Sequence, residues 1–229
     1  MHHSPSFAPR RVPLRRRFIH VFAAVFATAL AFFSPAAALA FDEVFDSGHV
    51  DAFYVTAPDG QLHLSMKEDI TGSSVPRSGD DVVLKVVEDA WSDATEAVPE
   101  IGQPTYFLPQ TQDQRIIWPG WDTQPARDGG FDNVDLEFAE VSGPGSVYVF
   151  ETSGFGDVKT VTDSGSMELT SGEVINQLNP AHRHVNWAFS EAGTYTMTVQ
   201  AHSNGESSNA VTYTWEVGDG GDASAADRS

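Results

Sequence analysis

Hydrophobic and polar residues alternate in short runs between Asp42 and Val217, and no long stretch repeats every 3.6 residues. Such alternation is typical of strands with one buried face. Turn-forming sequences separate the runs, for example APDG at 57–60 and SGPG at 142–145. The pattern predicts an all-β fold, a single immunoglobulin-like β-sandwich of about nine strands with at most short helical turns. The predicted strands are 44–55, 61–68, 81–87, 105–108, 133–141, 146–151, 184–189, 194–202 and 211–217, with helical turns near 91–97 or 171–178.

The first forty residues differ in composition from the rest of the chain. Residues 10–17 contain five arginines and no acidic residue, and residues 18–33 are almost entirely apolar. The apolar run is shorter than the ~20 residues that span a membrane, and small residues of the kind preceding a cleavage site follow it. We therefore predict a signal peptide over 1–40, with a membrane anchor as the alternative. The arginines at 15 and 16 fit a twin-arginine signal or a basic leader of the general secretory route.

The remainder of the chain is strongly acidic. Residues 1–40 contain five of the 13 basic residues and none of the 32 acidic ones, so residues 41–229 carry a formal charge of −24 with neutral histidines. Nucleic acid and anionic membranes are poor partners for such a chain, and cations are better ones. We expect a secreted or cell-surface domain over 41–218 without stable membrane insertion, followed by a disordered acidic tail over 219–229.

Candidate chemistry centres on two histidines in the segment NPAHRHVNWAF at 179–189. If this segment is one strand, His182, His184, Asn186 and Ala188 share one face, and the opposite face carries Val185, Trp187 and Phe189. Burying the apolar set favours that register, which directs both histidines away from the core.

The two histidines are predicted to bind a metal. Residues i and i+2 of a strand lie about 6.5–7 Å apart, so both imidazoles reach one ion, and zinc takes four ligands. The sequence contains no cysteine, so any site uses nitrogen and oxygen ligands. His49, Asp51 and His63 are the candidates for the remaining ligands. A solvated histidine pair without a metal is the alternative.

Four segments carry a resemblance to a known family: SGHVDAFYV, YFLPQTQDQRIIWPGWDT, VSGPGSVYVF and HRHVNWAFSEAGTYTMTVQA, in that order along the chain. They resemble the signature blocks of the actinobacterial surface-anchored protein domain, also called the choice-of-anchor M domain. That family is associated with a metal-type ABC transporter.

The resemblance implies a receptor or relay for zinc or manganese that works with the transporter's substrate-binding protein or another cell-surface component. It supports His49, Asp51, His182 and His184 as metal-site positions, Asn186 as a residue behind them, and His63 less strongly. The sequence carries a single copy of the domain, with no sorting signal of the Leu-Pro-x-Thr-Gly type, so the resemblance favours export over cell-wall attachment.

A second hypothesis makes the protein an adhesive or structural surface module. Trp118 and Trp121 in RIIWPGWDT would then contact a glycan or a protein, with the filling of one end of the sandwich as the alternative. The sequence contains no nucleophile elbow, zinc-protease motif or phosphate-binding loop, so we predict no enzymatic activity.

Overall fold

A computed structural model describes residues 41–154 and 156–219. These residues form sixteen strands, most of them short. In chain order they are β1 (Glu43–Phe45), β2 (Gly48–Thr56), β3 (His63–Glu68), β4 (Val75–Arg77), β5 (Val82–Val86), β6 (Trp91–Ser92), β7 (Thr105–Leu108), β8 (Ile117–Asp122), β9 (Val134–Ser142), β10 (Val147–Thr152), β11 (Val158–Thr160), β12 (Glu173–Gln177), β13 (His182–His184), β14 (Asn186–Phe189), β15 (Gly193–Ser203) and β16 (Glu206–Val217).

The strands form three sheets, which confirms the predicted all-β sandwich. A six-stranded sheet has the order β1-β5-β16-β15-β9-β12, and a five-stranded sheet has the order β11-β10-β14-β7-β6. The third sheet, with the order β13-β8-β2-β3-β4, is called the site sheet below. In it β2 runs parallel to β8 and antiparallel to β3, while β13 is an edge strand antiparallel to β8.

One large apolar core joins the three sheets, and its biggest fully buried side chains include Trp121, Trp187 and Trp215. A smaller cluster covers the other face of the sheet that contains β14. Ala188 belongs to that cluster, together with Phe150 and Met167. Both faces of β14 are therefore covered.

Several predicted elements differ from the observed ones. The chain has more strands than the nine predicted, because pieces of two or three residues such as β6 and β11 are too short to show alternation. The segment 171–178 forms strand β12 and not a helical turn. Strand β8 was missed because Pro119 and Gly120 lie inside it, and both residues normally argue against a strand. The predicted strand 105–108 is confirmed at both ends.

The predicted strand 184–189 is two strands in two different sheets. Strand β13 pairs with β8 and ends at His184, whereas β14 begins at Asn186 and pairs with β7 and β10. In the β13–β8 register the next pair would join Val185 to Pro119, which has no N–H to donate. The chain leaves the site sheet at this point, with the Val185 side chain fully buried.

Helical structure in the described residues consists of 3-10 segments of three to six residues, among them Ala94–Ala97 within the predicted turn near 91–97. No helix of residues 41–154 and 156–219 is long and apolar enough to cross a membrane. The predicted signal peptide and all but the first residue of the predicted tail lie outside the described residues.

Candidate metal centre

Four side chains meet on one face of the site sheet. His49, Asp51, His182 and His184 each place a ligand atom within 4.8 Å of the other three. Two pairs at i and i+2 supply them, one from β2 and one from β13, as strand alternation requires. Arg183, between the two histidines, points to the opposite face, where its guanidinium lies 5.1 Å from the Trp121 ring. The predicted orientation of both histidines within β13 is therefore confirmed.

Strand register explains why the two pairs meet. His184 lies opposite Gly120 of β8, Gly120 lies opposite Asp51 of β2, and Asp51 lies opposite Lys67 of β3. Residues in register on adjacent strands project to the same face of a sheet. Because Gly120 has no side chain, the space above the middle of this row is free for the imidazole of His184. A Cβ atom at position 120 would lie 2.7 Å from His184 Nδ1 and 2.8 Å from its Cε1.

The three imidazoles converge through the same ring atom. The Nε2 atom of His49 lies 3.2 Å from that of His182 and 3.0 Å from that of His184, and the last two are 3.1 Å apart. Asp51 Oδ1 lies 2.8 Å from His182 Nε2 and 3.7 Å from His49 Nε2. Zinc with bonds of about 2.0–2.1 Å places tetrahedral ligand atoms about 3.3 Å apart. The three nitrogen atoms therefore approach the spacing of a tetrahedral zinc shell, and Asp51 Oδ1 lies beside them, nearest to His182.

A carboxylate fixes the orientation of His49. Its Nδ1 atom lies 2.7 Å from Asp69 Oδ2, while Asp69 Oδ1 accepts the Ser74 N–H. The Ser74 hydrogen bond and then the contact with His49 hold the pKa of Asp69 below its usual value. A proton on His49 Nδ1 leaves the Nε2 lone pair directed at the centre, the arrangement that outer carboxylates give metal-binding histidines.

His184 is half-buried and packs against an aromatic ring. Its ring stacks on Trp118, with centroids 3.6 Å apart and planes 12° from parallel. Burial first, and then the neighbouring His49 and His182, lower the pKa of His184 from 6.5 to about 3. Its buried Nδ1 faces the backbone of Pro119 without meeting full hydrogen-bond geometry. His184 therefore stays neutral at physiological pH, and a neutral imidazole is the form that binds a metal.

Asp51 is fully buried beside the histidines, and Lys67 balances its charge. Lys67 Nζ lies 3.0 Å from Asp51 Oδ2 and 2.8 Å from Asp122 Oδ2. Burial acts to lower the pKa of Lys67, but its hydrogen bond to Asp122 and its ion pair with Asp51 together outweigh burial and raise that pKa. The ammonium group therefore remains charged. His182, with 37% of its side chain exposed, lies at the solvent side of the centre.

His63 does not belong to the centre, so its prediction as a ligand is wrong. It lies opposite Thr56, at the far end of the β2–β3 pair from His49. There its exposed side chain lines an open pocket of about 480 Å³ together with Arg77 and Asn209. Its outward orientation was predicted correctly, but it projects too far along the strand to reach the other histidines.

Asn186 does not contact the histidines, contrary to its predicted place directly behind them, because it starts strand β14 in another sheet. Its buried side chain accepts the Gln110 N–H at 2.9 Å and donates to Thr152 Oγ1 at 3.0 Å. The Gln110 carbonyl oxygen in turn accepts the Trp118 indole N–H at 2.9 Å. Asn186 thus supports the ring that stacks on His184, two residues removed from the centre.

The two tryptophans proposed as a partner-binding surface have other positions. Trp121 is fully buried in the core, and its indole N–H donates to Gln177 Oε1 at 3.0 Å. Trp118 is half-buried against His184. A glycan or protein contact through Trp121 is therefore excluded, and the interpretation that this residue fills the sandwich is correct.

Comparison of the chain with protein-family models, with curated proteins and with solved structures gives no match. The resemblance to the surface-anchored domain stays a prediction that rests on the quoted segments.

Four residues that shape the centre were not found from the sequence: Lys67, Asp69, Gly120 and Asp122. Asp69 and Lys67 carry no local signal, because charged residues are frequent in strands and turns of this acidic chain. The WPGWD sequence held the one available signal. A glycine inside a strand often marks the close approach of another group.

Proposed function

We propose that the protein is an exported, non-catalytic binding domain for a divalent transition metal, with zinc as the preferred ion. The observation that carries the proposal is the convergence of three imidazole Nε2 atoms at separations of 3.0–3.2 Å. Three nitrogen lone pairs directed at one point repel one another unless a proton or a cation lies between them. A cation bound by all three satisfies them together.

The ligand types favour zinc. Imidazole nitrogen suits zinc, copper and nickel, whereas manganese, magnesium and calcium prefer six or more ligands, most of them oxygen atoms. His49, His182 and His184 supply three nitrogens, and Asp51 supplies one carboxylate oxygen. The spacing of the three nitrogens is close to that of tetrahedral zinc ligands, the geometry of most protein zinc sites, and Asp51 is the fourth ligand of the proposed shell.

The shell also supports binding in preference to catalysis. Catalytic zinc sites commonly use three protein ligands and keep a fourth position for water or substrate. With Asp51 as the fourth ligand that position is filled. The partly exposed His182 gives solvent access to the ion, which suits a protein that takes up and releases metal.

The charge and the resemblance support a role in metal acquisition. Residues 41–229 carry a formal charge of −24, which attracts cations to the surface. The resemblance to the surface-anchored domain implies a receptor or relay for a metal-type ABC transporter, with the substrate-binding protein as the partner. We include this role in the proposal. The adhesive alternative loses its basis with the burial of Trp121 and the stacking of Trp118 on His184.

Metal analysis of the purified domain tests the proposal. We expect one zinc ion per chain after dialysis against trace zinc, and a single high-affinity site when the chelated protein is titrated with zinc. Exposed His63 provides the control, since His63→Ala should bind zinc as the wild type does. Absence of zinc binding in the folded wild-type protein would overturn the proposal.

A further inference from the structure

Lys67 lies on the site sheet between two carboxylates, Asp51 of the metal centre and Asp122 of strand β8. Its ammonium group contacts Asp51 Oδ2 at 3.0 Å and Asp122 Oδ2 at 2.8 Å, and it lies 4.8 Å from the centre of the Tyr54 ring. Only 13% of the side chain is exposed. An ammonium group has three N–H donors, so these two carboxylates and the aromatic face hold it in one place.

The two oxygens of Asp51 contact different partners, and Lys67 holds one of them. Oδ1 faces the histidines, at 2.8 Å from His182 Nε2, while Oδ2 faces the ammonium group. A carboxylate that chelates an ion with both oxygens must turn Oδ2 towards it. Such a turn would break the contact with Lys67 inside a fully buried environment, where an unpaired charge is costly.

The charges around the centre match a divalent ion. With ionised carboxyl groups and neutral imidazoles, Asp51, Asp69 and Asp122 contribute three negative charges and Lys67 contributes one positive charge. The resulting charge of −2 is balanced by one divalent cation. Removal of the Lys67 charge would leave −3 and free the second oxygen of Asp51, conditions that suit larger ions with oxygen ligands.

We propose that Lys67 is a specificity-determining positioning residue, which restricts Asp51 to one metal-binding oxygen and so makes the centre four-coordinate and selective for zinc over manganese. This inference rests on the proposed function, since it concerns the same centre. It adds that selectivity depends on a residue that does not touch the ion.

The test compares Lys67→Met with Lys67→Arg, which keeps the charge, and with Lys85→Met, which removes a half-buried lysine of strand β5. Zinc and manganese affinities are measured by competition with a chelating dye. Cobalt(II) is used as a spectroscopic probe, because four-coordinate cobalt absorbs visible light far more strongly than six-coordinate cobalt. Thermal unfolding establishes that each variant is folded.

We expect Lys67→Met to weaken zinc binding by ~10–100-fold, the usual effect of losing an outer-shell partner. Manganese binding should be unchanged or stronger, so the ratio of zinc to manganese affinity falls at least about tenfold, and the cobalt absorption weakens. Lys67→Arg should recover much of the ratio, and Lys85→Met should match the wild type.

A merely structural role of Lys67 would reduce both affinities in proportion and leave the cobalt spectrum unchanged, and that result would overturn the inference. If Lys67→Met does not fold, Lys67→Gln decides, because it also removes the ammonium charge while keeping a polar side chain, and it should shift the ratio in the same direction. Zinc binding by the wild type with an unchanged ratio in these variants contradicts only the inference. Failure of the wild type to bind zinc or cobalt contradicts the proposed function itself.

Discussion

Strands β13 and β14 follow each other with one residue between them, yet they have opposite roles. His182 and His184 of β13 project from an edge strand towards a cluster of ligands, whereas all four residues of β14 are buried. Both strands come from the sequence HRHVNWAF, and a single alternating strand explains only the first of them. The difference shows that alternation assigns faces reliably only while the chain stays in one sheet. A substitution in β13 should therefore mainly reduce metal binding, whereas a substitution in β14 should mainly reduce stability.

The largest expected effect is on the core side. Trp187 is fully buried and stacks on Trp215, with ring centroids 5.4 Å apart. Trp187→Ala should lower the free energy of unfolding of the metal-free protein by ~3–5 kcal/mol, the range for emptying an aromatic core position. Denaturant titration in the presence of a chelator measures this loss. A loss below about 1 kcal/mol would mean that β14 does not contribute to the core as described.

On the site side, His184→Ala should reduce zinc affinity by more than the ~10–100-fold that outer-shell substitutions cost, because it removes a ligand. Zinc at 100 times its dissociation constant stabilises the folded wild type by ~2.7 kcal/mol. Zinc should therefore raise the melting temperature of the wild type. This rise should be lost in His184→Ala and kept in His63→Ala. If the two variants respond equally to zinc, the assignment of His184 as a ligand and of His63 as a non-ligand is wrong.

Asn186→Ala tests the boundary between the two strands, and its effect should be intermediate. The substitution leaves the half-buried Gln110 N–H and Thr152 hydroxyl without their partner, which should cost ~1–3 kcal/mol of unfolding free energy. Zinc affinity should fall less than about tenfold. Asn186 touches no ligand and acts only through Gln110 and Trp118, whereas outer-shell partners that touch a ligand cost ~10–100-fold. Calorimetric titration with zinc checks this. Complete loss of binding in a folded Asn186→Ala protein would make Asn186 part of the centre.

The last expected effect is the pH dependence of the metal-free protein. The pKa of His184 is about 3 in the folded protein and 6.5 in an ordinary environment. Between these values the unfolded chain binds more protons at this residue, so acidification favours unfolding. The contribution of neutral His184 to stability is complete above pH 6.5 and is lost as the pH falls towards 3.

Denaturant titrations at pH 7.5 and pH 5 with a chelator present measure this dependence. The wild type and His63→Ala should lose more stability between the two pH values than His184→Ala does. Equal losses in all three proteins would show that His184 is not protected from protons. With zinc present the difference between the pH values should grow, because protons compete with the metal for histidine ligands.

The β2–β3 pair gives the same lesson as the two strands around Val185. His49 and His63 both project away from the core of the site sheet, and the local alternation predicted this for His63. Only His49 meets other ligands, because β8 and β13 lie beside its end of the pair. A local pattern identifies a free face, but the neighbours of that face come from other strands.

The sequence alone determined the all-β class and the projection of His182 and His184 to one face, because both follow from a two-residue repeat. It also determined the chemical type of the site, since a chain without cysteine and with many acids offers only nitrogen and oxygen ligands. Tertiary structure decided which residues meet. His49 and His182 are 133 positions apart in the chain, and they come together through the register of β13 on β8 and of β8 on β2. That register depends on Gly120, whose missing side chain makes room for His184. It ends at Pro119, opposite which the chain leaves the sheet after β13.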